Sequence, residues 1–353
     1  MSAAPGPPTL PDDWTSRAPE PGDVDALVRL HDDALAAAGR PAPADRAHET
    51  ARVEELVAGP SSWTRRQLVA GPEGEAPAAW ATVHDRAAGR TTVALEVAGP
   101  DRVAADVADA AAAAMLAWAA DAAIGIARLR GVERTQLDAS AHSADARSHR
   151  WLERAGYRHV RTWLQMSRPV TPTDAPAPEP RPGVTVRRVA TSASGIPVAA
   201  DLQAVHLVLE QSFADHFNSY RESFPEFIAR LREDQGHRWD HWWIAEVAMD
   251  DGAVLPGGAL VASAMAADAS GARGTYVEYI GVHRRARGRG VAKALLAAVV
   301  ADAADRDRAH VALEVDRDSP TGADGLYRAL GWTTAHETES WHADVAVEPG
   351  EDA

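Results

Sequence analysis

From Tyr276 a β-rich run, Tyr276-Val277-Glu278-Tyr279-Ile280-Gly281-Val282, leads into a loop with alternate glycines, Gly288 and Gly290, and then into an apolar-periodic helix. The turn between Val282 and Leu296 has the chemistry of an anion site. The first N–H groups of a helix lack intrahelical partners and its dipole favours negative charge. Glycines let backbone come close and take positive φ. From His283 to Lys293 there are Arg284, Arg285, Arg287, Arg289 and Lys293 and no acidic residue, in a chain whose net charge is −15. A P-loop requires two glycines five apart followed by Lys and Ser or Thr, which is not the pattern here. A dinucleotide fingerprint requires a third glycine where Lys293 stands, in a parallel βαβ unit. The pattern present is R-x-x-G-x-G, at Arg285, Gly288 and Gly290.

Downstream, Leu313-Glu314-Val315-Asp316 reads as a strand, followed by a polar loop and then by Gly325-Leu326-Tyr327-Arg328-Ala329-Leu330-Gly331-Trp332. With these two stretches the second half of the chain resembles the GCN5-related N-acetyltransferase (GNAT) family. The resemblance implies acetyl-CoA as acyl donor, its diphosphate gripped by Arg285, Ala286, Arg287, Gly288, Arg289, Gly290, Val291 and Ala292. It implies acetyl contacts at Ile280, Gly281 and Val282, where a backbone N–H would stabilise the developing oxyanion. Ser319, where asparagine is usual in the family, is implied as the second loop's contact to the coenzyme. Tyr327 is implied as proton donor to the departing thiolate, a role that suits a phenol near 10 facing a thiol near 8.5. A pure acyl-CoA-binding regulator, the alternative function, has no need of that tyrosine.

An attacking amine must be neutral, and Glu278 is the first candidate base because strict alternation puts it on the face of Ile280 and Val282. Tyr276, Glu314 and a water chain are rivals. All four phenylalanines lie between Phe213 and Phe227, a region that in relatives helps form the acceptor pocket. Phe213, His216, Phe217 and Tyr220, with Asp215, Glu222 and Glu226 among them, would suit a small primary amine carried as a cation. His237 and His241 are four apart without a third ligand, so no metal is expected.

These residues need a frame. The second half reads as β-α-α-β-β-β-α-β-α-β, an α/β domain with a mixed, mostly antiparallel sheet flanked by helices. The first half echoes it: a strand at Thr135 to Ala141, then a short helix stopped at Gly156, against His310 to Asp316 and Gly331 in the second half. In the first half Pro100 and Asp101 stand where the anion turn needs donors, and Leu152 stands in the place of Tyr327. The expectation is two tandem GNAT-like domains, a degenerate one at 13–168 and an active one at 184–344, an arrangement similar to that of the mycothiol synthases. Residues 169–183, with six prolines, are expected as a linker, 1–12 as disordered and 345–353 as an acidic tail.

Composition bounds the rest. Hydrophobic residues are 46% and charged ones 25%, the balance of a globular protein. The absence of cysteine excludes disulfides and thiolate chemistry. The negative charge argues against nucleic-acid or membrane partners, and no run of about 18 apolar residues is evident. With no basic start and apolar stretch at the N-terminus, a cytoplasmic monomer or homodimer is expected, and the Ala- and Arg-rich usage points to a high-GC bacterial genome.

Overall fold

The computed structural model describes residues 6–58, 65–86, 90–213, 222–319 and 322–347, and one order of elements occurs in it twice. The first run is β1 (Trp14–Arg17), α1 (Val24–Ala37), α2 (Arg46–Ala58), β2 (Arg65–Pro72), β3 (Ala79–Asp85), β4 (Arg90–Val97), α3 (Ala105–Arg130), β5 (Arg134–His142), α4 (Ala146–Arg154) and β6 (Arg158–Pro169). The second is β7 (Val184–Arg188), α5 (Ala199–Phe213), α6 (Phe224–Arg232), β8 (His237–Ala248), β9 (Val254–Ala264), β10 (Gly274–Val282), α7 (Val291–Asp305), β11 (His310–Asp316), α8 (Ala323–Ala329) and β12 (Thr333–Ala346). The duplication expected from the glycine-stopped helices thus extends to every element. Both stops are in place, Gly156 at φ 83° and Gly331 at φ 85°, values that a side chain would disfavour.

The compact units do not coincide with the halves of the sequence. One unit holds the residues up to Trp163, Asp316–Asp318 and those from Glu337 on; the other holds Leu164–Val315 and Ser319–His336. Within the first unit, β1 to β4 form antiparallel pairs and β4 runs parallel to β5 from Arg90 to Thr92. The outer side of β5 pairs with β12, from Thr338 opposite His142 to Ala346 opposite Arg134. A second domain ending at 344 is therefore corrected: its last strand completes the sheet of the first unit, and the strand continues past the start of the expected tail. Of the segment 1–12 expected as disordered, residues 1–5 lie outside the described residues, and in the remainder Leu10 packs against the first core. The helix α3 is long and apolar enough to cross a membrane, contrary to expectation. Met115, Leu116, Trp118 and Ile126 are nonetheless buried in the first unit's core, where α3 packs on β3 and β4.

In the second unit the strand order is β7-β8-β9-β10-β11, antiparallel except for β10 with β11. One face carries α7, whose Val291, Leu295, Leu296, Val299, Val300 and Ala303 form a buried stripe at helical spacing. The other face carries α5 and α6, with Leu202, Val205, Leu209, Phe227 and Leu231 buried. The segment 169–183 belongs to this unit and is tied down along it. Val170 N–H donates to Ala309 O at 2.8 Å, Arg168 pairs with Asp174 at 2.6 Å, and Ala248 N–H donates to Gly183 O at 2.8 Å. It is not a free linker.

Close packing of α7 on the sheet depends on Gly258. A Cβ there would overlap the Val291 side chain and lie 3.0 Å from Leu295 Cδ1. Gly258→Ala is expected to cost about 1–3 kcal/mol through overpacking and to lower the melting temperature by several degrees in circular dichroism. An unchanged melt would show that α7 moves away without penalty.

Candidate active site

The turn between β10 and α7 is built as its glycines require. After Val282 the chain makes one 3-10 turn, Arg284–Ala286, and passes Gly288 at φ 78° and Gly290 at φ 84° before α7 starts. The first α-helical bond of α7 is Ala294 N–H to Gly290 O at 3.1 Å. The amides of Gly288, Gly290, Val291 and Ala292 consequently have no backbone acceptor among the described residues. The side chains of Ala286 and Val291 are buried, so from these two positions only backbone is offered. Arg284, Arg285 and Arg287 are exposed and make no ion pair among the described residues. Arg289 differs, donating to Ala248 O at 3.3 Å and to Asp250 at 3.2 Å. Free amides at the positive end of a 15-residue helix, ringed by guanidinium groups, fit a diphosphate.

Beside the turn the sheet opens. β10 pairs with β11 only from Gly274 to Val277, although β10 continues to Val282. Its pairing with β9 slips at Glu278: Val277 faces Ala262, whereas Tyr279 faces Val261. One extra residue in a strand reverses the alternation beyond it. Val277, Ile280 and Val282 pack on the α7 side, while Tyr279 packs with the α5 and α6 cluster. Glu278 accepts from Ser263 Oγ at 2.7 Å, and Ser263 alternates with Ala262 of the α7 cluster. The shared face expected for Glu278, Ile280 and Val282 is therefore corrected. The carboxylate lies across the sheet from Tyr327, which is buried in the α7 cluster with its ring centroid 5.9 Å from that of Trp332. Gly281 has a packing role: a Cβ there would lie 2.9 Å from Ser212 Cβ and 3.0 Å from Leu209 Cδ2 of α5.

Electrostatics separate the two groups further. Burial, reinforced by the nearby Asp234 and Glu314 carboxylates, pushes the Glu278 carboxyl up to about 7 against the Ser263 hydroxyl, which favours its charged form. Desolvation of its carboxyl also raises Glu314, although the residue is exposed by surface area and Gln165 donates to it at 2.9 Å. Burial pushes the Tyr276 phenol up, with the charges of Glu314 and Glu278 adding to it, which weakens Tyr276 as a base. Burial alone raises Tyr327 to about 12. Burial therefore favours the protonated phenol over the phenolate. What Tyr327 can supply is a hydrogen bond that is present at every working pH.

The acceptor-side expectations divide. Phe213 meets Tyr279 edge-on at 6.2 Å; His216, Phe217, Tyr220 and Asp215 lie outside the described residues. Glu222 is neutralised by Arg230 at 2.7 Å, and Arg230 also donates to Tyr279 Oη at 3.0 Å. Glu226 closes the N-terminal box of α6 with Ser223. Neither of these two carboxylates is spare for a cation. Asp234 and Ser263 around Glu278 were missed, because nothing in their local sequence marks them; β8-β9-β10 pairing brings them in. A surface recess of about 410 Å³ beside Arg284 and Arg285 is lined by Leu207, Val208 and Pro256, and by neither Glu278 nor Tyr327.

Residues 209–332 match the acetyltransferase (GNAT) family. The match runs from α5 to Trp332, within the second half of the chain. The family's chemistry is acyl transfer. In fold, the whole chain is similar to a GCN5-related N-acetyltransferase from Sphaerobacter thermophilus, at 23% identity and a TM-score of 0.70 over 98% of this chain and 99% of that one. It is also similar to a tandem GNAT protein from the clavulanic acid biosynthesis pathway, at 15% identity and a TM-score of 0.62 over 96% and 99% of the two chains. At such identities the likeness establishes two GNAT-like folds in tandem and no more. No curated protein matches the sequence.

The first unit keeps the frame of a GNAT domain and fills it differently. Its β4 also leaves β5 after a short pairing, but Arg147 of α4 donates to Val97 O at 2.7 Å and Ala98 O at 3.0 Å, beyond the end of that pairing. Aligned on Gly156 and Gly331, Arg147 takes the place of Gly322. Leu152, in the place of Tyr327, is buried core.

Proposed function

We propose that the second unit transfers an acetyl group from acetyl-CoA to a primary amine of a small cationic molecule by direct attack. One observation carries this reading: a helix N-terminus with free amides adjoins a strand opening beside a half-buried carboxylate, Glu278, held by Ser263. The amides of Gly288, Gly290, Val291 and Ala292 hold the diphosphate, and Arg285 and Arg287 add charge. The unpaired edge of Ile280–Val282 offers backbone donors to the acyl oxygen as charge develops there. The coenzyme supplies an activated thioester when bound. Glu278, with Asp234 and Glu314 near it, attracts an ammonium group and takes its proton, which leaves a neutral nucleophile. Tyr327, on the other face, donates a hydrogen bond to the departing sulfur.

Thermal melts test the donor. Acetyl-CoA at about 100 times its Kd is expected to stabilise the protein by roughly 2.7 kcal/mol, while ATP and NAD leave the melt unchanged. Stabilisation by nucleotides alone would overturn the reading. Thiol release against a panel of small amines then tests turnover; binding without release would favour a non-catalytic acyl-CoA sensor.

A further inference from the structure

Arg181 sits between Pro180 and Pro182, outside the segment that matches the family. Its position is nonetheless determined. Proline fixes φ on either side of it, the Pro172–Asp174 turn packs beside α7, and Val184 N–H closes back onto Arg181 O at 3.0 Å. The side chain runs across the glycine turn. Arg181 Nη1 donates to Gly288 O at 3.2 Å, and a Cβ on Gly290 would lie 3.0 Å from Arg181 Cδ and 3.3 Å from its Nε. Gly290 is needed for its positive φ, and without a Cβ it lets the stem of Arg181 lie close against the turn. A guanidinium has five donors, and the bond to Gly288 O uses one. The others have no partner among the described residues, and the residue is exposed. On the opposite flank, Arg289 is turned away toward Ala248 O and Asp250.

We propose that Arg181 is a phosphate-binding residue of the coenzyme site, delivered by the proline-rich segment and not by the glycine motif. This rests on the reading of the turn as an acetyl-CoA site. The ligand chemistry is a phosphate oxygen, either of the diphosphate or of the terminal 3′-phosphate, and an arginine fork suits both. The segment therefore acts as a wall of the site, and its prolines hold the guanidinium in place before the coenzyme arrives.

The test is titration calorimetry of acetyl-CoA and of acetyl-dephospho-CoA, which lacks the 3′-phosphate, on the full chain and on Arg181→Gln. The variant is expected to bind acetyl-CoA about tenfold more weakly, with a shallower dependence of affinity on salt, while its ligand-free melting temperature stays unchanged. Arg181→Lys is expected to recover part of the loss. An equal loss for both ligands puts the contact on the diphosphate, and a loss confined to acetyl-CoA puts it on the 3′-phosphate; either supports the proposal. Unaltered affinity of Arg181→Gln for both ligands overturns it and leaves the acetyl-CoA reading standing. A weaker affinity matched by a lower ligand-free melting temperature also overturns it, because Arg181 would then be a strut of the turn. A wild-type chain that binds neither ligand overturns both readings.

Discussion

Glu278→Gln is expected to lower kcat/KM by about 10²–10⁴, the range lost with a positioned base, and to remove one limb of the pH profile. The sign follows from the direction of the shift. Glu278 acts only when ionised, and its carboxyl is held up to about 7. In the wild type kcat/KM should rise about tenfold per pH unit below that point and level off above it. In the Glu278→Gln variant, whose amide cannot titrate, the inflection should vanish, leaving only the rise from ionisation of the free amine at higher pH. Initial rates between about pH 5.5 and 9 measure both. A variant that keeps an inflection near 7 and loses less than about threefold would assign the base to another group, with Glu314 next in line.

Tyr327→Phe is expected to lower kcat by about 10–100-fold while acetyl-CoA Kd changes less than about twofold, since a hydrogen bond to developing charge counts in the transition state and not in binding. The ring stays in the core against Trp332, so the variant should fold and melt as the wild type does. With the phenol near 12, the wild-type kcat should show no fall attributable to this group up to about pH 10. A large loss of affinity or of melting temperature would make Tyr327 a packing residue.

The glycine turn and the start of α7 were legible because their signals are local. Gly288 and Gly290 permit the positive φ that the turn takes at both positions, and the apolar stripe of α7 declares a helix. The face of Glu278 was not legible. Tyr-Val-Glu-Tyr-Ile-Gly-Val alternates smoothly in sequence, and the slip at Glu278 arises from pairing with β9, which a single strand does not encode. Glu222 looked available because Arg230 reaches it only once α6 has formed, whereas Glu226 had a local signal, the capping box with Ser223. The prolines of 169–183 announced an extended segment but not the surface that it follows. Arg147 had a readable signal: counted back from Gly156, it stands where Gly322 stands counted back from Gly331.

The pairing of β12 with β5 also constrains how the chain is made. Domains emerging from a ribosome usually fold in turn as they appear. Here the side of β5 from Arg134 to His142 acquires its neighbour only when residues 338–346 have been synthesised. At about 5–20 residues per second that delay is on the order of ten to forty seconds. Throughout it, the nascent first unit presents an open strand edge, the surface most prone to pairing with the wrong chain. Maturation of that edge therefore waits on residues 338–346, which belong to the second half of the chain.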